Sequence, residues 1–189
     1  RYWLDVARYS EDQAHTFATK PNTNGYRYRD WVISAFNRDM PYDQFVKLQI
    51  AGDLLGPTSA RPFEHIIALG YFGLGAQYYK NTDREQALAD ELDDRVDTLT
   101  RGFMGLTVSC ARCHDHKFDP IPQREYYAIA GIFQSSSTSY GTVETQGNRR
   151  SSRLRTLPLE TAASKASPLT AESRARLEKT LADGKKERE

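Results

Sequence analysis

The chain contains only two cysteines, and both fall in one pentapeptide, Cys110-Ala111-Arg112-Cys113-His114. Two thiols three residues apart on a helical turn can reach the two vinyl groups along one porphyrin edge and hold it as thioethers. The next residue then projects an imidazole over the iron as the proximal axial ligand. With this composition, chance would produce that order on the order of 2 times in 10,000, so the spacing is read as chemistry. Cys110, Cys113 and His114 are therefore the expected attachment and ligand residues of one covalent haem c. Two other chemistries use the same atoms. A redox dithiol wants a βαβ context, which the pattern does not supply. A structural zinc site could use Cys110, Cys113 and either His114 or His116, but adjacent Cys113 and His114 point in different directions and strain tetrahedral closure.

Haem iron has a sixth position. Small cytochromes c carry the motif early and a methionine ligand well downstream, whereas here no Met follows His114. The leading candidate is His15, at the end of a helix before a loop. His65 lies among apolar neighbours, and Met40 and Met104 offer thioethers more often used in packing. His116 would need a sharp chain reversal to reach the opposite haem face, and reads better as a propionate partner or a hydrogen-bonded turn residue. Water, or an open position, completes the set. Methionine would raise the potential relative to histidine, and an open position would permit ligand chemistry. The propionates call for cationic and phenolic donors: Arg95 and Arg101 on the approach helix, Arg112 within the motif, Lys117 and Tyr126 just after it. Asp115 and Asp119 could accept the Nδ1–H of His114, or cap a turn. The run Asp90-Glu91-Leu92-Asp93-Asp94 reads as a solvated helix face rather than a cation site.

The elements that must position these groups are all helical by period. Residues 1–17 read as a short helix with Trp3, Val6 and Ala7 inward. Tyr28, Trp31, Val32, Ala35 and Phe36 recur at helical spacing, and that helix stops near Asn37 because Met40 precedes Pro41. A further helix runs from Pro41 to Ala51, with Gly52 as its C-cap. Pro62 opens a buried helix that loosens at Gly70, Gly73 and Gly75. Thr82 to Glu85 fits a capping box for the longest helix, whose stripe is Leu88, Leu92, Val96, Leu99 and Phe103. The last begins at Pro122 or Gln123 and carries Tyr126, Tyr127, Ile129, Ala130, Ile132 and Phe133. The helices ending near Phe103 and starting near Gln123 are expected to wall the haem, their aromatics excluding water.

Two-residue alternation is absent, so the expected fold is all-α. Residues 1–134 form a compact multi-helix domain around the haem, 135–166 a Ser/Gly/Arg-rich linker, and 167–189 a charged helical tail, marginal on its own. A hydrophobic content of 39% and the lack of any apolar run near ~20 residues exclude a membrane-spanning segment in this chain. A net charge of +1 gives no bulk electrostatic pull on nucleic acid. No phosphate loop, hydrolase elbow or zinc-protease helix is present. The first residue is Arg1 and Tyr2-Trp3-Leu4 already looks structured, so the chain reads as a piece of a longer protein.

The stretch from Leu106 through Cys110-Ala111-Arg112-Cys113-His114-Asp115-His116-Lys117-Phe118-Asp119-Pro120 to Ile121 resembles the signature of a planctomycete cytochrome-like domain of unknown function. Trp3-Leu4-Asp5-Val6-Ala7-Arg8-Tyr9, Arg27-Tyr28-Arg29-Asp30-Trp31-Val32-Ile33, Pro41-Tyr42-Asp43-Gln44-Phe45 and Gln49-Ile50-Ala51-Gly52-Asp53-Leu54-Leu55 resemble it too. The resemblance spans about residues 1–135 and implies export and covalent haem, in large periplasmic or surface proteins with further domains, but no established reaction. The expected function is electron transfer, with a redox partner protein or neighbouring domains of the parent as partners. A haem enzyme or gas or peroxide sensor with an open distal site is the alternative, and a haem-free zinc or interaction module the next.

Overall fold

The apolar period of Tyr28, Trp31, Val32 and Ala35 becomes the buried face of a helix, as a 3.6-residue repeat requires. A computed structural model of the chain describes residues 1–11, 24–57, 61, 63–74, 83–137, 139 and 157. Six α-helices occur among the described residues: α1 (Tyr2–Val6), α2 (Gly25–Asn37), α3 (Tyr42–Leu55), α4 (Glu64–Ile67), α5 (Arg84–Met104) and α6 (Gln123–Gln134). Two short 3-10 helices, Ala68–Phe72 and Val108–Arg112, complete them, and there is no β-strand among the described residues. All belong to the first of two units, Arg1–Arg155, the second being Thr156–Glu189. The expected linker and tail, and His15, lie outside the described residues apart from a few positions before 140 and at 157.

Trp3 is the hub of a first core built from α1, α2, α3 and the 3-10 helix after α4. Its ring lies 5.0 Å from Phe45, 5.7 Å from Tyr71 and 5.5 Å from Phe103. Each such aromatic pair adds about 0.5–1.5 kcal/mol beyond area burial. The polar edges are satisfied inside: Trp3 Nε1 donates to Tyr28 Oη (3.0 Å) and Gln49 Oε1 (3.2 Å), and Tyr28 Oη donates to Gln49 Oε1 (2.6 Å). Gln49 Nε2 closes the set on the Phe45 carbonyl, 3.0 Å away. Gln49 is fully buried, so its period-matched place on an apolar face is a hydrogen-bonding role that hydrophobicity alone does not show.

Helix ends differ from expectation at several places. α1 stops at Val6, which is exposed rather than inward, and the helix expected after Pro62 gives way at Ala68 to a 3-10 helix; Pro62 and Gly75 lie outside the described residues. α3 does break where its end is expected, at Ala51 (φ −141°, ψ 33°), but helical backbone resumes at Gly52, where a Cβ would overlap the His65 carbonyl, and the element ends at Gly56 with φ +71°. α5 is capped by Asp83, whose carboxylate accepts the Glu85 and Gln86 amides at 3.0 Å each; Thr82 lies outside the described residues.

α5 is the long central element, and its middle is buried on more than one side. Leu92 and Val96 are buried as the stripe predicts, but so are Glu91, Arg95, Asp97, Thr98 and Thr100. The acidic run is therefore not a solvated face. Arg8, held at φ +53° just after α1, pairs with Asp94 and Asp97, while Tyr126 of α6 donates to Asp93 at 2.8 Å. The turn after α1 on one flank of α5 and α6 on the other supply the counter-groups that a helical wheel leaves out.

Candidate functional site

α5 ends at Gly105 in the left-handed conformation, φ +68°, which reverses the chain and returns Val108–Arg112 against the helix it has just left. A 3-10 helix has three residues per turn, so positions three apart stack on one face. Val108 and Ala111 form the inner face, buried with Val96, Tyr126 and Ala130 in a second core. Cys110 and Cys113 share the outer face, both exposed as free thiols. α5 and α6 pack on the Val108–Ala111 face, beneath the motif, while Phe118 and Tyr127 are exposed.

The motif is fastened on both flanks. The Arg112 guanidinium turns to α5, with Nη1 and Nη2 donating to Asp90 Oδ1 at 3.1 and 3.2 Å, and Nη1 also lies 3.8 Å from Asp93 Oδ2 as an ion pair. Partial burial alone would lower its pKa, but the Asp90 bond, with Tyr126 and Asp93, outweighs that and raises it. On the α6 side, the Arg112 carbonyl accepts from Gln123 Nε2 (3.0 Å) and Tyr127 Oη (3.1 Å), and Asp115 Oδ1 accepts the Gln123 amide (2.8 Å).

The two histidines of His114-Asp115-His116 are set differently. His114 is exposed, and its Nδ1 lies 2.7 Å from the Asp115 carbonyl oxygen. A carbonyl can only accept, so Nδ1 carries a proton, and in the neutral ring Nε2 then keeps its lone pair, as an axial ligand requires. His116 Nδ1 accepts the amides of Asp119 (2.9 Å) and Phe118 (3.3 Å), and its own amide donates to the Ile121 carbonyl at 2.9 Å. The Asp119 carboxylate also lies 3.3 Å from that nitrogen, but two amide donors fix it as an acceptor. The lone pair of a neutral His116 is spent on the turn it closes, so the turn-residue reading is the one the geometry favours.

Among the other expected donors, Tyr126 is buried and shares Asp93 with Arg112. Arg101 lies on Asp97 (3.0 Å) and Arg95 lies 3.8 Å from Glu91, both pairs within α5. Lys117 Nζ stands 5.2 Å over the Phe118 ring in the loop after His114. Met40 packs on the first core, Met104 is 62% exposed at the end of α5, and His65 on α4 has a buried Nδ1 with no hydrogen-bond partner. Gln123 and Tyr127 were not singled out as site residues from sequence; they bind a main-chain carbonyl, which no residue type announces.

Two exposed thiols on one face, followed by an imidazole with an available Nε2, are the donor set that covalent haem needs. No three His, Cys, Asp or Glu side chains converge to hold a metal ion among the described residues, which leaves the zinc alternative unsupported there. No helix among them is long and apolar enough to cross a membrane. No curated protein and no solved structure gives a significant match. The family model does: with the motif and all four resembling segments inside the matched span of residues 1–138, the chain belongs to the PSCyt2 family, a planctomycete cytochrome-like domain of unknown function (DUF1549).

Proposed function

We propose that this domain carries one covalent haem c and passes electrons to a redox partner protein or between neighbouring domains of an exported parent protein. Cys110 and Cys113 would hold the group as thioethers and His114 would be its proximal ligand. The carrying observation is the division of faces on Val108–Arg112: the inner face is anchored in a core, while both thiols and the imidazole that follows are presented outward. Once bound, the haem supplies a one-electron couple whose potential its axial ligands and burial set. The chain's own part is to hold the thiols in register and keep Nε2 of His114 unprotonated. Of the expected propionate donors we assign Lys117, which stands in the loop directly after His114, while Arg112 and Tyr126 stay on the carboxylates of α5. A c-type haem also implies an extracytoplasmic site, periplasmic or at the cell surface.

The second reading, a haem enzyme or sensor with an open distal position, draws on the fate of the sixth-ligand candidates. His116 has spent its lone pair and Met40 is packed in the first core. Rapid binding of CO and cyanide would favour this reading, and a six-coordinate spectrum inert to both would favour plain electron transfer.

The deciding experiment is a pyridine haemochrome spectrum on chain matured with a periplasmic c-haem assembly system, beside Cys110→Ala/Cys113→Ala. A c-type band that stays with the denatured wild-type polypeptide and is lost from the variant establishes covalent haem. Correctly matured chain without a Soret band overturns both haem readings.

A further inference from the structure

Asp115 is engaged at both ends. Its carboxylate accepts the amide of Gln123, the first residue of α6 (2.8 Å), while its own carbonyl accepts the Nδ1–H of His114 (2.7 Å). Gln123 also reaches back past Cys113: its Nε2 donates to the Arg112 carbonyl at 3.0 Å, where the Tyr127 hydroxyl joins it at 3.1 Å. One residue of α6 therefore grips the chain on both sides of Cys113-His114. The His114 side chain itself is exposed, so this grip acts on the main chain that carries it. In water a neutral imidazole prefers its proton on Nε2, the atom that a metal would have to use; a fixed acceptor at Nδ1 reverses that preference.

We infer that Asp115 and Gln123 are the positioning residues of the site, fastening residues 112–115 to the start of α6 so that the Asp115 carbonyl selects the ligating form of His114. The tautomer is a property of the chain itself, and its consequence for an iron centre rests on the haem reading above. A hydrogen-bonded Nδ1–H makes the ring a stronger donor, which favours ferric iron and lowers the potential.

The test uses the full 189-residue chain as wild type, Asp115→Ala, Gln123→Ala and Tyr127→Phe. Imidazole nitrogen NMR of haem-free chain at mildly alkaline pH reads the tautomers, and potentiometry reads haem-loaded chain. In the wild type, His114 is expected as the Nδ1–H form and His116 as the Nε2–H form. Asp115→Ala and Gln123→Ala shift His114 toward Nε2–H, leave His116 unchanged and raise the potential, with Tyr127→Phe moving the same way by less. Should Asp115→Ala not fold, Gln123→Ala and Tyr127→Phe, which retain the cap on α6, carry the same comparison. His114 in the Nε2–H form in the wild type, or variants that move neither tautomer nor potential, overturns the inference. A chain that switches tautomer but never takes up haem sinks the haem reading alone; loaded chain with no switch sinks this one alone.

Discussion

His114 and His116, two residues apart, hold opposite tautomers: Nδ1 of the first donates to the Asp115 carbonyl, and Nδ1 of the second accepts the Asp119 amide. The pair divides into one imidazole available for coordination and one committed to the fold. His116→Ala strips the acceptor from two amides and is expected to cost roughly 1–3 kcal/mol in denaturant unfolding, with covalent haem still attached. His114→Ala should do the reverse, leaving stability nearly unchanged while altering the axial-ligand bands of chain that takes up haem. If His116→Ala altered those bands and His114→Ala did not, the assignment of the two would have to be exchanged.

Gly102 leaves room for a neighbour. Tyr71 Oη donates to the Thr98 carbonyl at 2.7 Å, and a Cβ at position 102 would overlap that hydroxyl. Gly102→Ala should destabilise by about 1–3 kcal/mol, the usual cost of overpacking. Tyr71→Phe removes the overlapped oxygen, so the double variant should lose less than the sum of the two. Strict additivity in thermal unfolding would show that the two positions do not meet.

Glu64 is a buried carboxylate paired with Arg38 that also accepts Trp31 Nε1 at 2.9 Å. Glu64→Ala strands a partly buried guanidinium and an indole N–H together, and a loss of about 3–5 kcal/mol is expected. Glu64→Gln keeps an acceptor for Trp31 and should lose less. Equal losses in the two variants would mean that the indole bond contributes nothing.

High pH should unfold the domain through its tyrosines. Burial raises the pKa of Tyr28, Tyr71 and Tyr126 well above the ordinary value, and Tyr9 is pushed up to about 12 by partial burial and its bond to Glu11. A raised acid holds its proton in the folded state after the unfolded chain has lost it. The stabilisation is therefore complete below about pH 10 and falls as pH rises through the folded-state values. Ultraviolet titration should show tyrosinate from the buried residues appearing only with loss of helical circular dichroism. Ionisation of all eleven tyrosines near the ordinary value, with helicity retained, would contradict the burial.

The sequence by itself determined that the chain is helical, because an apolar repeat of 3.6 residues has only one regular backbone that puts it on one side, as α2 and α6 do. It also singled out Cys110, Cys113 and His114, since the meaning of that motif is a local spacing. Only the tertiary structure decided what faces what. The acidic run of α5 reads as solvated until Arg8 and Tyr126 arrive from either flank, and Arg112 reads as a ligand-facing cation until Asp90 is found behind it. Gly52 passes for a terminator until helical backbone resumes beyond the break at Ala51 and α4 crosses against it. The role of Gln123 depends on the Arg112 carbonyl, a main-chain atom that every residue possesses and that becomes distinctive only where the fold leaves it unpaired. Periodicity reports which side of an element is buried; charge pairing and main-chain partners depend on which other element lies there, and that is settled by the packing of the whole chain.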